Sequence, residues 1–189
     1  MRTLVACPVA ARKHYSFPLW VEQTEKYDRL VSVDDPEYAL KVEEYGVPYV
    51  LFTPVSTRRV GGAAIYGPRH TEAWAAILER ADGYTHILSL ESDIIAPRDV
   101  DILSLMEEHY DDSYDFTCHA YPWRYPHRKG LYAHETGCTI GSIDKWKRAL
   151  RLTHKDHGVY ETIRITDYFR NKDIHIVELE HLGEGDDRF

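Results

Sequence analysis

Apolar and polar positions follow one another in blocks along this chain, and the blocks predict strands and helices in turn. Short apolar runs typical of buried strands occur at residues 3–7, 30–33, 48–52, 86–90, 116–119, 137–140 and 174–179. Between them the spacing of apolar residues predicts helices at 16–27, 36–46, 71–80, 99–110, 144–152 and 159–171. Residues 54–68, rich in Gly and Arg, are predicted to form a loop. Strands separated by helices indicate an α/β fold, with a mostly parallel central sheet and helices on both faces.

Polar residues that precede the helical patterns predict where three helices begin. Asp35 is followed by Pro36, a pair that suits the N-cap and first helical positions. By the same reasoning Ser16 and Asp99 are predicted to cap the helices after them.

Composition narrows the class of protein. The 189 residues fit one domain, and 43% hydrophobic with 29% charged residues is typical of a globular chain. No apolar run approaches the ~18 residues of a transmembrane helix, so we expect no membrane segment. Three cysteines without a C-x-x-C pair indicate free thiols in a reducing compartment, and hence a cytoplasmic protein. The net charge of −8 disfavours a dedicated nucleic-acid binder, but it leaves room for an anionic ligand held by local cations.

The predicted strand at 86–90 ends abruptly in Glu91-Ser92-Asp93. In an extended chain these two carboxylates would share one side, where like charges repel unless a cation lies between them. Oxygen ligands suit Mg²⁺ or Mn²⁺. In a parallel sheet, ligands bind at the carboxyl ends of the strands, which is where Glu91 and Asp93 are placed. The alternative interpretation is a solvated acidic turn in which Asp93 helps to cap a following element.

Several segments resemble GT-A-type nucleotide-sugar glycosyltransferases in the family's own order. "HILSLESDI" is similar to the segment that carries the family's metal-binding D-x-D motif, with Glu91 in place of the first Asp. "TLVACPVAARKHYSFPLWVEQT" and "LVSVDD" resemble the opening strand, nucleotide-binding turn, first helix and second strand. "IYGPRHTEAWAAILERADGYTHILSLESD", "ETGCTIGSIDKWKRAL" and "VELEHLGEG" resemble the later segments, so the resemblance covers nearly the whole chain. It implies a Rossmann-like GT-A fold, with a donor-binding half at 1–95 and an acceptor-binding half with an acidic tail at 96–189.

The resemblance also implies roles on the donor side. Mn²⁺ or Mg²⁺ would be held by Glu91, Asp93 and His181, and would neutralise charge on the diphosphate of a nucleotide-diphosphate sugar. The turn at 8–12 would supply backbone donors, Asp34 would meet the base or ribose, and arginines would bind phosphate. The residues expected at the donor are Pro8, Val9, Ala10, Arg12, Asp34, Arg58, Arg69, Glu91 and Ser92.

The acceptor side departs from the family. An inverting transferase needs a general base, and the family's Glu-Asp pair is not intact here. Glu161, Glu135 and Asp156 are the candidates, so inverting and retaining chemistry both stay open.

Segment 119–134, "HAYPWRYPHRKGLYAH", has no family counterpart and interleaves aromatic with basic residues. It is interpreted either as an ordered loop covering the sheet or as an acceptor loop, because aromatic faces stack on sugars and on bases. The acceptor would be a glycan, a small molecule or a flipped-out modified base in DNA, as for some viral glycosyltransferases. The residues expected to bind it are Trp123, Arg124, Tyr125, Arg128 and Gly137.

Other classes of protein fit parts of the pattern. Eleven histidines are compatible with a metal-dependent hydrolase or phosphoesterase, but no H-E-x-x-H motif or zinc spacing is present. A nucleotidyltransferase would share the parallel sheet, yet "CPVAARKHY" lacks the glycines usual in its first loop. A non-catalytic nucleotide- or sugar-binding module is the third alternative. The preferred hypothesis is a metal-dependent glycosyltransferase that moves a sugar to an acceptor hydroxyl.

Overall fold

The computed structural model describes residues 1–9, 15–54, 59–60, 63–64, 66–119, 137–153, 174–177 and 183–184. Its main sheet has seven strands, namely β1 (Thr3–Val9), β2 (Arg29–Val33), β3 (Tyr49–Leu51), β6 (His86–Leu90), β8 (Phe116–His119), β9 (Cys138–Ser142) and β10 (Ile174–Val177). Their order across the sheet is β10-β8-β9-β6-β1-β2-β3. All of them run in one direction except β9, which is antiparallel to β6 and to β8.

Two pairs of very short strands lie outside this sheet. The strands β4 (Arg59–Val60) and β5 (Ala63–Ala64) pair with each other, and β7 (Ile94–Ile95) pairs with β11 (Gly183–Glu184). Both pairs are antiparallel.

Helices cover both faces of the main sheet. Three of them, α1 (Phe17–Thr24), α2 (Pro36–Glu44) and α4 (Ile102–His109), contribute to one apolar cluster. Two more of the described helices, α3 (Tyr66–Arg80) and α5 (Ile143–Thr153), contribute to the second cluster, where Trp74 stacks on Trp146 with ring centroids 5.0 Å apart. The predicted α/β, Rossmann-like class is confirmed. None of the helices in the described part of the chain is long and apolar enough to cross a membrane.

The central strand β1 shows why the strands are almost continuously apolar in sequence. Leu4 and Ala6 belong to one cluster, while Val5, Cys7 and Val9 belong to the other. A strand covered on both faces buries every side chain, so alternation with polar residues is lost.

The three predicted caps have different outcomes. Asp35 caps α2 as expected, accepting hydrogen bonds from the amides of Glu37 (2.9 Å) and Tyr38 (3.2 Å). Ser16 occupies the N-cap position of α1, but its side chain makes no capping hydrogen bond. The prediction for Asp99 is wrong, because a turn from Pro97 to Val100 intervenes and Asp101 caps α4 instead.

The predicted loop at 54–68 is also partly wrong. Apart from Pro54, its described residues form β4, β5 and the first turn of α3, which begins at Tyr66 and not at residue 71. Pro68 is compatible with this earlier start, because the first-turn amides of a helix have no intrahelical acceptor. Residues 159–171, predicted as a helix, lie outside the described residues.

The three thiols are free, as predicted from their number and spacing, and the structure shows that all three are buried. Burial raises the pKa of Cys118 to about 12, and burial together with the nearby Cys118 also raises the pKa of Cys138. A thiol nucleophile needs the opposite shift, so these two side chains serve packing.

Asp101 ties the turn that follows α1 to the start of α4. It accepts hydrogen bonds from Lys26 Nζ (2.7 Å), Tyr27 Oη (2.5 Å) and the amide of Ser104 (3.0 Å). Burial acts to raise the pKa of Asp101, but the bonds from Lys26, Tyr27 and Ser104 outweigh it and lower the pKa to about 2.

Replacing Asp101 tests this link. Asp101→Ala is expected to lower the free energy of unfolding at pH 7 by about 1 kcal/mol, the usual cost of a lost cap. Since the folded-state pKa lies below the ordinary value of 3.8, the contribution is present above pH 4 and is lost as the pH falls toward 2. Denaturant unfolding of both proteins between pH 7 and pH 2 should therefore show their stabilities converging. Asp99→Ala is the matched control, and an equal loss in it would contradict this assignment.

Candidate functional site

One edge of the sheet collects the segments that the sequence singled out. Because β1, β2, β6, β8 and β10 are parallel, their carboxyl ends share this edge. The antiparallel β9 brings its amino end to the same place. Asp34, Glu91, His119 and Gly137 each lie at the end of one of these strands.

The two carboxylates of the acidic segment lie in a turn. The strand β6 ends at Leu90, and a hydrogen bond of 3.0 Å from the Ile94 amide to the Glu91 carbonyl closes a β-turn over Glu91–Ile94. The predicted extended geometry is wrong here, so side-chain parity does not decide where the carboxylates point. Glu91 and Asp93 are half-buried, and Ser92 between them is buried.

Gly137 lies directly against this acidic turn. The Glu91 amide donates to the Gly137 carbonyl at 2.8 Å. A Cβ atom on Gly137 would stand 3.2 Å from Ile94 Cδ1 and 3.9 Å from Glu91 Cβ. The structure therefore joins a residue expected on the acceptor side to residues expected on the donor and metal side.

Two side chains of α1 hold the backbone on either side of the acidic turn. The buried indole of Trp20 donates to the Leu90 carbonyl at 2.7 Å. Gln23 Nε2 donates to the Ile94 carbonyl at 2.7 Å, and Gln23 Oε1 accepts from the Ala96 amide at 3.1 Å. Neither residue was predicted from the sequence; their i, i+3 spacing put them on one helix face, but it did not show which backbone they reach.

The C-terminal strand β11 lies beside the acidic turn as well. In its pairing with β7, Gly183 is opposite Ile95 and Glu184 is opposite Ile94. His181, the expected third metal ligand, lies outside the described residues, two positions before this strand.

Of the residues expected to bind the donor, the structure describes only some. Asp35 is engaged as the cap of α2, while Asp34 is half-buried at the end of β2. Two strand spacings, about 10 Å, separate β2 from β6. Pro8 and Val9 were expected in a turn, but they extend β1 and pair with Ser32 and Val33.

His119 is a further edge residue that the site predictions missed. It is buried at the end of β8, and its Nδ1 lies 3.3 Å from the Val177 carbonyl at the end of β10. The only sequence signal was its position as the last residue of an apolar run and the first of segment 119–134.

Most of the remaining predicted site residues lie outside the described part of the chain. Arg69 falls in the first turn of α3, where only its backbone is described. The following lie outside the described residues, and their roles stay predictions: Ala10, Arg12, Arg58, Trp123, Arg124, Tyr125, Arg128, Glu135, Asp156, Glu161 and His181.

The described residues suit a hard divalent cation. Within them, no three His, Cys, Asp or Glu side chains converge on one point. Mg²⁺ and Mn²⁺ sites that are completed by phosphate need only one or two carboxylates, and the acidic turn carries two, Glu91 and Asp93. The Ser92 hydroxyl is buried, and no hydrogen-bond partner for it lies among the described residues. An oxygen-only set with a spare buried hydroxyl therefore fits such a cation and its phosphate.

Comparison with known proteins bears on the fold. No protein-family model matches the sequence, and no curated protein matches it. The structure is similar to that of CMP:2-keto-3-deoxy-manno-octonic acid synthetase complexed with CTP. That likeness has a TM-score of 0.63 and 15% identity, and it covers 99% of this chain and 93% of the other.

A second solved structure is similar over most of its length. It is a glycosyltransferase involved in the glycosylation of the major capsid of PBCV-1, with a TM-score of 0.54 and 13% identity. The match covers 94% of this chain and 82% of that one. At such identities the two likenesses establish a shared fold.

The contact between Gly137 and Ile94 yields a prediction on how tightly the site is packed. Gly137→Ala is expected to lower stability by about 1 kcal/mol, because the new methyl group crowds a buried side chain. In Ile94→Ala the two closest atoms, Cδ1 and Cγ1 at 3.2 and 3.3 Å, are both absent, so Gly137→Ala should cost less in that background. Thermal unfolding of the four proteins of this double-mutant cycle measures the coupling. Strictly additive losses would show that the two residues are not packed as described.

Proposed function

We propose that this chain transfers a sugar from a nucleotide-diphosphate donor to an acceptor hydroxyl, using Mn²⁺ or Mg²⁺. The observation that carries the proposal is the acidic turn Glu91–Asp93 at the carboxyl end of β6. It lies at the edge where folds of this class bind ligands, and α1 holds the backbone on both sides of it.

In this proposal Glu91 and Asp93 hold the cation, with His181 as the third protein ligand. The cation supplies charge neutralisation for the leaving diphosphate when it is bound. An imidazole ligand favours Mn²⁺ over Mg²⁺. The Ser92 hydroxyl, buried within the same turn, is a donor for a phosphate oxygen.

The nucleoside is proposed to lie across β1, toward β2. Asp34 is the acid at that end of the site, because the carboxylate of Asp35 is occupied by the amides of Glu37 and Tyr38. Arg12, Arg58 and Arg69 are proposed to meet phosphate, since a guanidinium binds phosphate oxygens in a fork. Residues 1–95 are thus the proposed donor-binding half.

The acceptor is proposed to bind between the ends of segment 119–137. Both ends lie at the site edge, at His119 after β8 and at Gly137 beside Glu91. The aromatic and basic residues between them, Trp123, Arg124, Tyr125 and Arg128, suit a sugar or a base. The proposed general base comes from Glu161, Glu135 and Asp156; Glu135 is the nearest of these in sequence to Gly137.

Nucleotidyl transfer is the second candidate, favoured by the likeness to a synthetase complexed with CTP over 99% of this chain. Its donor would be a nucleoside triphosphate, and its leaving group would be pyrophosphate. The glycine-poor first segment counts against it. Products separate the two, because sugar transfer releases a nucleoside diphosphate.

The decisive variant for the cation site is Asp93→Asn, which removes one charge with little change in volume. In the wild type, a matching nucleoside diphosphate with Mn²⁺ should raise the melting temperature, and chelation of Mn²⁺ should abolish the shift. A ligand at a hundredfold its dissociation constant adds ~2.7 kcal/mol of stability. Asp93→Asn should still fold and show a melting transition, but it should lose most of the Mn²⁺-dependent shift in melting temperature.

Asp99→Asn is the matched control, because it removes the same charge from an exposed residue nearby. It should retain the full shift. A folded Asp93→Asn protein with an undiminished Mn²⁺-dependent shift would show that the cation is held elsewhere. Activity assays with hydroxyl acceptors, including a glycan and a hydroxymethylated base in DNA, then separate transfer from hydrolysis and from binding alone.

A further inference from the structure

The side chain of Gln23 acts on β7 as a neighbouring strand would. A primary amide carries a donor and an acceptor at one end, as a peptide group does. Gln23 uses both, donating to the Ile94 carbonyl at 2.7 Å and accepting from the Ala96 amide at 3.1 Å. These are backbone groups two residues apart, the repeat at which a strand presents its hydrogen-bonding groups to one edge.

The opposite edge of β7 is used by the C-terminal strand. Successive residues of a strand direct their backbone groups to alternate edges. Ile94 and Ala96 are turned toward Gln23, so Ile95 is turned the other way, where it lies opposite Gly183 of β11. The short strand β7 is thus held from both sides, by a side chain of α1 and by the C-terminal segment.

This arrangement brackets the acidic turn. Trp20, one turn earlier on α1, binds the Leu90 carbonyl immediately before Glu91. Gln23 binds the Ile94 carbonyl immediately after Asp93. The two ends of the segment that carries both carboxylates are therefore fixed to one rigid helix.

We infer that Gln23 is a positioning residue for the cation site, fixing the turn that carries Glu91 and Asp93 and the strand edge that receives β11. This inference rests on the proposed function. A group that touches neither the cation nor the substrate can still set affinity, because outer partners that orient ligands typically contribute 10–100-fold to metal binding. A turn already held in place also loses less conformational freedom when the cation binds.

The test compares Gln23→Met with Arg29→Met. Methionine preserves the length of Gln23 but neither donates to Ile94 nor accepts from Ala96. Arg29 is the matched control, since its guanidinium also bonds to α1, at the Val21 carbonyl (2.7 Å) and Thr24 Oγ1 (3.3 Å), away from the acidic turn. Gln23→Asn, with the same amide on a shorter arm, replaces Gln23→Met if the latter does not fold.

Two measurements on the full chain distinguish positioning from mere stability. Mn²⁺ affinity, titrated with saturating nucleoside diphosphate, should weaken at least tenfold in Gln23→Met and stay unchanged in Arg29→Met. Amide hydrogen exchange without metal should accelerate at Ala96 in Gln23→Met only. Both variants are expected to lose some thermal stability, so the melting temperature alone does not decide.

The outcomes separate the inference from the proposed function. A wild type that binds Mn²⁺, with a Gln23→Met variant of equal affinity and unchanged exchange at Ala96, would overturn the role of Gln23 alone. A wild type that binds no Mn²⁺ with any nucleoside diphosphate would overturn the proposed function and, with it, this role.

Discussion

The hydrogen bond from the buried Trp20 indole to the Leu90 carbonyl fixes the end of the strand on which the candidate site depends. A carbonyl at a buried strand end has to find a donor, and here the donor comes from α1, the helix that comes after the neighbouring strand β1. The bond ties α1 to β6 at the point where the chain leaves the sheet. The short turn after Leu90 consequently starts from a fixed position. The proposed site requires this, because its two carboxylates lie in that turn.

The antiparallel direction of β9 is the second feature on which the candidate site depends. An all-parallel sheet would carry the amino end of that strand to the far edge. Because β9 runs antiparallel to β6, Gly137 arrives beside Glu91, and the segment that leaves β8 at His119 returns to the same edge. Residues proposed to bind the donor and residues proposed to bind the acceptor therefore meet at one edge of the sheet.

Sequence patterns correctly predicted the elements that are determined by residues close together in the chain. The apolar runs at His86–Leu90 and Phe116–His119 match the strands of the structure, because both are short, apolar and flanked by polar residues. The cap at Asp35 was recognisable because Pro36 comes next. Asp99 and Asp101 offered two acids before one helix, and only the turn from Pro97 to Val100 decides between them.

Non-local contacts decided the rest, and sequence reasoning missed them. The pairing of β7 with β11 involves two residues on each side and joins positions almost ninety apart, so no local pattern signals it. The same holds for Gln23, whose partners lie more than seventy residues away. The acidic tripeptide pointed to the carboxyl edge of the sheet, but its turn geometry came from the Ile94 amide and from α1.

The proposed chemistry requires the acidic turn to hold a divalent cation together with a nucleotide phosphate. The most direct measurement is electron paramagnetic resonance of Mn²⁺ titrated with the protein, with and without a nucleoside diphosphate. We expect the wild type to remove the free Mn²⁺ signal at one bound ion per chain. The affinity for Mn²⁺ should be higher with one of the nucleotides than without it. In Asp93→Asn the free Mn²⁺ signal should return. If adding the protein lowers the free Mn²⁺ signal no further than the nucleotide does by itself, this cation site is ruled out.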